Sequence, residues 1–208
     1  MDVWPSMTSG FGVGLGLIVA IGAQNLLVLQ HGIAKTYPAI TALICIVCDV
    51  TLILLGVMGL GATLMAWPTL IVWFRYLGAL WLLILAMQNF RSAFSDQALS
   101  VTDANEGPSL WAVIGATLAV TLLNPHVYLD TVILLGGLST QYAYPMYFAL
   151  GAVIASILWF SALAFAGVQL APLLSRPQVW RRVNVLIGLA LLLIAGQLAF
   201  GFNRVLEV

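Results

Sequence analysis

Two carboxylates stand inside long apolar runs of this 208-residue sequence: Asp49 within Ile46-Val47-Cys48-Asp49-Val50, and Asp130 five residues after Pro125. Holding an ionised acid at the centre of a hydrocarbon layer costs about 2.5 to 3.5 kcal/mol on insertion scales, so an acid placed there is a functional candidate. A salt bridge is the structural alternative for Asp49, with Arg75 as the donor in reach. Two such acids suit a cationic group that both can face, because pairing offsets part of the desolvation either charge would suffer alone. Gln24, Asn25 and Asn124 add neutral donors and acceptors. A zwitterion with one extra positive charge fits this set best.

The same residues sit where helices should break. Gly22-Ala23-Gln24-Asn25 interrupts one apolar run and Asn124-Pro125 interrupts another at a comparable depth. Pro125 lacks an N–H and crowds the carbonyl of residue 121, freeing polar backbone. Unwound backbone is tolerated in lipid where it lines a cavity or meets protein, and paired interruptions point to a solute site; a packing kink is the plainer reading of either one. N–H groups at a half-helix N-terminus would favour a carboxylate. His126 lies four residues before Asp130 and so shares its helical face. His126, Asp49 and Asp130 are the candidates for carrying protons, although His126 serves equally well as a hydrogen-bonding partner of Asp130.

The elements that must position these residues follow from composition. Hydrophobic residues make up 62% of the chain and charged residues 7%, against roughly a quarter charged in soluble domains. Lipid is the natural solvent for such a chain. Stretches near 8–30, 38–65, 69–90, 110–137, 143–170 and 181–201 meet the requirement of about 20 apolar residues per span. The expected fold is all-α integral membrane, one transmembrane domain over 1–208, with six spans and interrupted first and fourth helices. A polar loop over 91–109 divides it into halves of approximately 1–92 and 108–208. Three spans per half means that halves sharing a fold insert in opposite orientations, a 3+3 inverted repeat.

Lys35, Arg91, Arg176, Arg181 and Arg182 fall on the odd-numbered connections, with Arg204 opposite and Arg75 just inside the third span. By the positive-inside rule both termini are expected outside the cytoplasm. The N-terminus, with no basic residue before its apolar stretch, reads as retained rather than cleaved. Zero net charge without basic or acidic runs gives no footprint for nucleic acid. Cys45 and Cys48 read as small helix residues. Gly10, Gly12, Gly14 and Gly16, with Gly56, Gly59 and Gly61, read as close-packing positions. Trp67, Trp73, Trp111, Trp159 and Trp180 read as interfacial anchors. An intramembrane enzyme using His126 with Asp49 and Asp130 lacks any metal-binding His spacing, so neither metal nor cofactor is expected.

Several motifs carry a family resemblance across nearly the whole chain: Gly22-Ala23-Gln24-Asn25 followed by Leu-Leu-Val-Leu-Gln and His31-Gly32-Ile33, the Cys48-Asp49 pair, the Asn124 to Asp130 run, and Arg176 to Asn184. In these the sequence resembles the LysE/ArgO family of basic amino acid exporters. The resemblance implies export of L-lysine or L-arginine, or both, across the cytoplasmic membrane, driven by the membrane potential and linked to protons. It marks Asn25, Asp49, Asn124 and Asp130 as functional positions. Related exporters of neutral amino acids carry Asn-Pro-Lys in the fourth helix and lack the later acid, so His126 and Asp130 favour the basic branch. Cys48 stands where relatives commonly have Ser, and Gln30 where a basic residue is usual. An exporter of the same fold for a neutral amino acid or another small cation is the alternative. The expected partners are the amino acid, the lipid bilayer and, in a homo-oligomer, a second copy of the chain.

Overall fold

A computed structural model describes residues 2–20, 22–60, 68–94, 108–174 and 177–200. The described elements are helical: α1 (Trp4–Ile18), α2 (Ala23–Ile33), α3 (Pro38–Leu60), α4 (Pro68–Phe94), α5 (Leu110–Leu122), α6 (Pro125–Ser139), α7 (Pro145–Leu174) and α8 (Pro177–Phe200). Proline opens α3, α4, α6, α7 and α8. At that position its missing N–H has no intrahelical partner to lose and its fixed φ already suits the helix. Four helices have the length and hydropathy of membrane spans; α1 with α2, bent by 77°, and α5 with α6, bent by 59°, complete six. The two expected interruptions are thus present, and the candidate spans number four, or the expected six when each bent pair counts as one. Gly61, Trp67, Arg176, Arg204 and most of the 91–109 loop lie outside the described residues, as does the side chain of Arg75 and with it any pairing to Asp49.

The bundle has an apolar core with polar side chains set into it, and its outer surface is apolar as well. Thr41, Asp49, Asn89, Thr117, Asn124, Ser156 and Asn184 are buried, whereas Leu43, Val47, Trp73, Leu80, Met87, Trp111 and Leu193 are exposed. Buried hydroxyls largely satisfy themselves on the preceding turn: Thr117 Oγ1 donates to the Val113 carbonyl at 2.7 Å and Ser139 Oγ to that of Gly136 at 2.6 Å.

Glycines fix how the helices meet. Gly10 abuts the Phe148 backbone, Gly14 faces Ala152, and Gly32 faces Gly167, so α1 and α2 run along α7 in the same direction. On the other side, Gly56 of α3 meets the backbone of Thr131 and Val132 in α6, and Gly136 returns the contact to Gly56. Gly12 and Gly16 face open space, so half of the glycine stripe in α1 makes the close approach expected of it. Gly59 has φ 94, a left-handed conformation suited to glycine, within a π-wound last turn of α3. The remaining pair, α4 and α8, packs antiparallel, with Gly188 beneath the Phe90 ring and the Arg181 guanidinium 5.0 Å from the Phe94 ring centre.

Trp159 departs from the expected interfacial role. It sits in mid-α7, part-buried, and its indole N–H is spent on Asn25. Trp73 and Trp111 are exposed as anchors should be.

These contacts separate two glycines sharply. A Cβ at Gly56 would lie 2.7 Å from the Thr131 and Val132 carbonyl oxygens, so Gly56→Val should destabilise by about 1 to 3 kcal/mol or more. Gly16→Ala meets nothing within 4 Å and should hold or raise stability. Thermal unfolding of the detergent-solubilised protein compares them.

Candidate functional site

Each helix break is closed by a side chain from beyond it. Gly22, extended at φ −134 and ψ 166, precedes α2. The Asn25 amide then reaches back, Nδ2 donating to the carbonyls of Ile18 at 2.8 Å and Ala20 at 2.9 Å. Its Oδ1 accepts from Trp159 Nε1 at 3.2 Å, which locks the break to α7. At the second break, Asn124 is extended and its Oδ1 accepts from the His126 N–H at 3.1 Å, capping α6. The Tyr128 hydroxyl donates to the Leu122 carbonyl at 2.8 Å, the counterpart of what Asn25 does. Pro125 is buried behind the cap. From Tyr128 to Leu135 the chain winds as a π-helix, which re-aims Asp130 and Thr131 by inserting an extra residue in the turn.

Asp49 is 3% exposed, and Ser156 Oγ, wholly buried, donates to its Oδ2 at 2.9 Å. The partner found is therefore a hydroxyl from α7. Asp49 lies eleven residues after Pro38, and Ser156 eleven after Pro145 (49 − 38 = 156 − 145), so the two occupy matching places on α3 and α7. Gln24 lies against both Asp49 and Cys45. Its Nε2 nonetheless makes no well-formed hydrogen bond among the described residues.

One cavity of about 240 Å³ gathers these groups, large beside the roughly 30 Å³ of a liquid water. Gly22, Gln24, Asn25, Asp49, Asn124, His126 and Asp130 all line it. The described lining thus holds two carboxylates and one imidazole, with no Lys or Arg. Phe160, Thr131 and Gln197 line it too and were not expected. Gln197, an amide in an otherwise apolar stretch of the last helix, could have been found by the rule that singled out Gln24. Ser156 gave no such signal apart from its register with Asp49. Among the described residues no three His, Cys, Asp or Glu side chains stand close enough to hold a metal ion. Asn184 is buried with neither amide atom hydrogen-bonded among the described residues, and nothing in the structure explains it.

Two acids in one cavity at the meeting point of two broken helices is an arrangement found in the solute sites of membrane transporters. The profile of LysE type translocators matches residues 15–201. The chain belongs to that family. It is accordingly a multi-pass membrane transporter rather than an enzyme. It is 41% identical over 194 residues to YggA of Aeromonas salmonicida, whose name makes it a candidate amino-acid transporter, covering 92% of this chain and 94% of that one. It is 39% identical to the arginine exporter protein ArgO of Serratia proteamaculans, covering 92% and 94%, and 38% identical to ArgO of Salmonella typhimurium, covering 91% of each. No solved structure matches the chain.

The clamp at the first break is testable apart from function. Trp159→Phe keeps an aromatic side chain but strips Asn25 Oδ1 of its donor, and should destabilise by about 1 to 3 kcal/mol. Trp111→Phe, at a side chain 78% exposed, should leave the unfolding temperature unchanged in the same assay.

Proposed function

We propose that the chain is a secondary exporter of basic L-amino acids, arginine foremost and lysine as the alternative, working by alternating access in the cytoplasmic membrane. The observation that carries this reading is the cavity in which Asp49 and Asp130 converge with no Lys or Arg among its described lining. A guanidinium or ammonium entering it supplies the counter-charge that two buried acids lack. The names of the two ArgO relatives point to arginine.

The residues divide the work as follows. Asp130, only half-buried on the π-wound turn, is the acid most open to the cavity and takes the side-chain cation. Asp49, deeper and held by Ser156, either joins that pairing or takes the proton that an incoming cation displaces. The start of α2 has no side-chain cap, which leaves its first N–H groups for the substrate carboxylate. Gln24 and Asn124 supply neutral contacts, while Asn25 keeps the break open by holding the carbonyls of Ile18 and Ala20. His126, beside Asp130 on the cavity wall, is the further candidate for coupling export to the proton gradient or the membrane potential.

A 3+3 inverted repeat is part of the proposal. Supporting it, the broken first span packs on α7 as the broken fourth packs on α3, and α4 packs on α8. An exchange of halves reproduces each of these pairings, and it carries Asp49 onto Ser156. Lys35, Arg91, Arg181 and Arg182 fall at one end of the bundle, and the positive-inside rule supports the reading that this end faces the cytoplasm, with both termini proposed on the other side.

Cells lacking their own arginine exporters and fed arginine-containing dipeptides should accumulate less intracellular arginine when they carry this protein. Asp49→Asn and Asp130→Asn should each abolish the effect; normal efflux from both well-expressed variants would overturn the assignment. Proteoliposomes loaded with arginine should in addition take up protons as arginine leaves. Competition by neutral amino acids but not by arginine would reassign the substrate.

A further inference from the structure

A second and larger cavity, of about 580 Å³, lies at the other end of α2. Its polar lining comes from Gln30, Gln88, Asn89 and Ser92, with His31 and Thr36 at the turn between α2 and α3. Gln30 Nε2 donates to Asn89 Oδ1 at 2.8 Å, and Asn89 Nδ2 to the Leu85 carbonyl at 2.9 Å. Trp81 forms part of the wall, and its buried indole N–H has no acceptor among the described residues. A buried donor left unpaired is uncommon enough to need a reason. No Asp, Glu, Lys or Arg belongs to the described lining.

A thin apolar wall separates this chamber from the acid-lined cavity. Ala23, Leu27, Leu85 and Leu191 close around a crevice of about 10 Å³, and Leu27, Gln30 and Leu85 also face the chamber. Gln24 belongs to the one cavity and Gln30 to the other; six residues at about 1.5 Å rise make the wall about 9 Å deep along α2. The chamber lies at the end of the bundle that carries Lys35 and Arg91, whereas the acid-lined cavity reaches towards Ile194 and Gln197 at the far end of α8.

We propose that the chamber is a second solute site, a loading station on the Lys35 and Arg91 side. It takes the zwitterionic head common to amino acids, with Leu27 and its neighbours as the barrier to the acid-lined cavity. Amides and an indole N–H offer donors and acceptors to an ammonium and a carboxylate alike. With no acid in its described lining, the chamber does not select for side-chain charge; that selection belongs to Asp49 and Asp130. The role as a loading station rests on the transport reading, whereas occupancy of the chamber does not.

The test uses Ser92→Cys in the full-length protein, with L-arginine and its neutral analogue L-citrulline as probes and the rate of maleimide labelling at position 92 as the readout. Cys45 and Cys48 are buried, and peptide mass analysis separates them from the new site. Saturating arginine and citrulline should slow labelling alike, about three- to tenfold, and should still do so when Asp130→Asn is added. Trp81→Phe, which keeps an aromatic side chain and removes the N–H, should raise the concentration needed for protection about three- to tenfold. Protection that disappears with Asp130→Asn, protection by arginine alone, or no protection at all would overturn the proposal. Arginine efflux from the same preparations reports separately on transport. Efflux lost in Asp130→Asn while protection persists is the expected combination, and protection without efflux in the unmodified protein would bring down the transport reading while leaving the chamber a solute site.

Discussion

A helix interrupted among apolar neighbours leaves carbonyls and N–H groups that water is not there to satisfy, and the rest of this structure answers that constraint. Asn25 takes two carbonyls at the first break and Tyr128 takes one at the second. Both breaks must then be enclosed by protein, which requires α3 and α7 to pass close by. Closeness in turn requires glycine at the crossings, and Gly10, Gly14, Gly32, Gly56 and Gly136 supply it. The cavity is the space left over once these demands are met, so its lining consists of the residues that accompany the breaks.

That dependence explains why the site could be read so far from the sequence. Gly22 and Asn124-Pro125 are backbone signals that act locally, and Asp49 and Asp130 are conspicuous because charge in an apolar run is expensive. Local and compositional signals of this kind survive in one dimension. Pairings across the chain do not: Ser156 reaches Asp49 over 107 residues, and Trp159 reaches Asn25 over 134. A serine in a spanning helix is ordinary, and a tryptophan there resembles a membrane anchor until its depth is known. The π-winding over Tyr128–Leu135 also left no mark that was read in the sequence; it coincides with the stretch whose backbone meets Gly56, a contact between distant parts of the chain.

Asymmetry between the matching positions is chemically useful. Had both α3 and α7 carried an acid eleven residues after the opening proline, two carboxylates would meet at the centre with no donor between them, and one would have to be neutral. A hydroxyl opposite Asp49 gives the acid a hydrogen bond without adding charge. The second charge is placed instead on Asp130, off that contact and open to the cavity.

The glycine contacts also decide what can move as a piece. Because α1 and α2 meet α7 backbone to backbone, and α3 meets α6 in the same way, neither pair can part without opening a void. Each tight unit takes one member from the first half of the chain and one from the second. The order of the polypeptide and its closest packing therefore differ: the linker at 91–109 divides the sequence, but the tightest backbone contacts join one half of the chain to the other, and the Asp49–Ser156 hydrogen bond ties the two interleaved units together beside the acid-lined cavity.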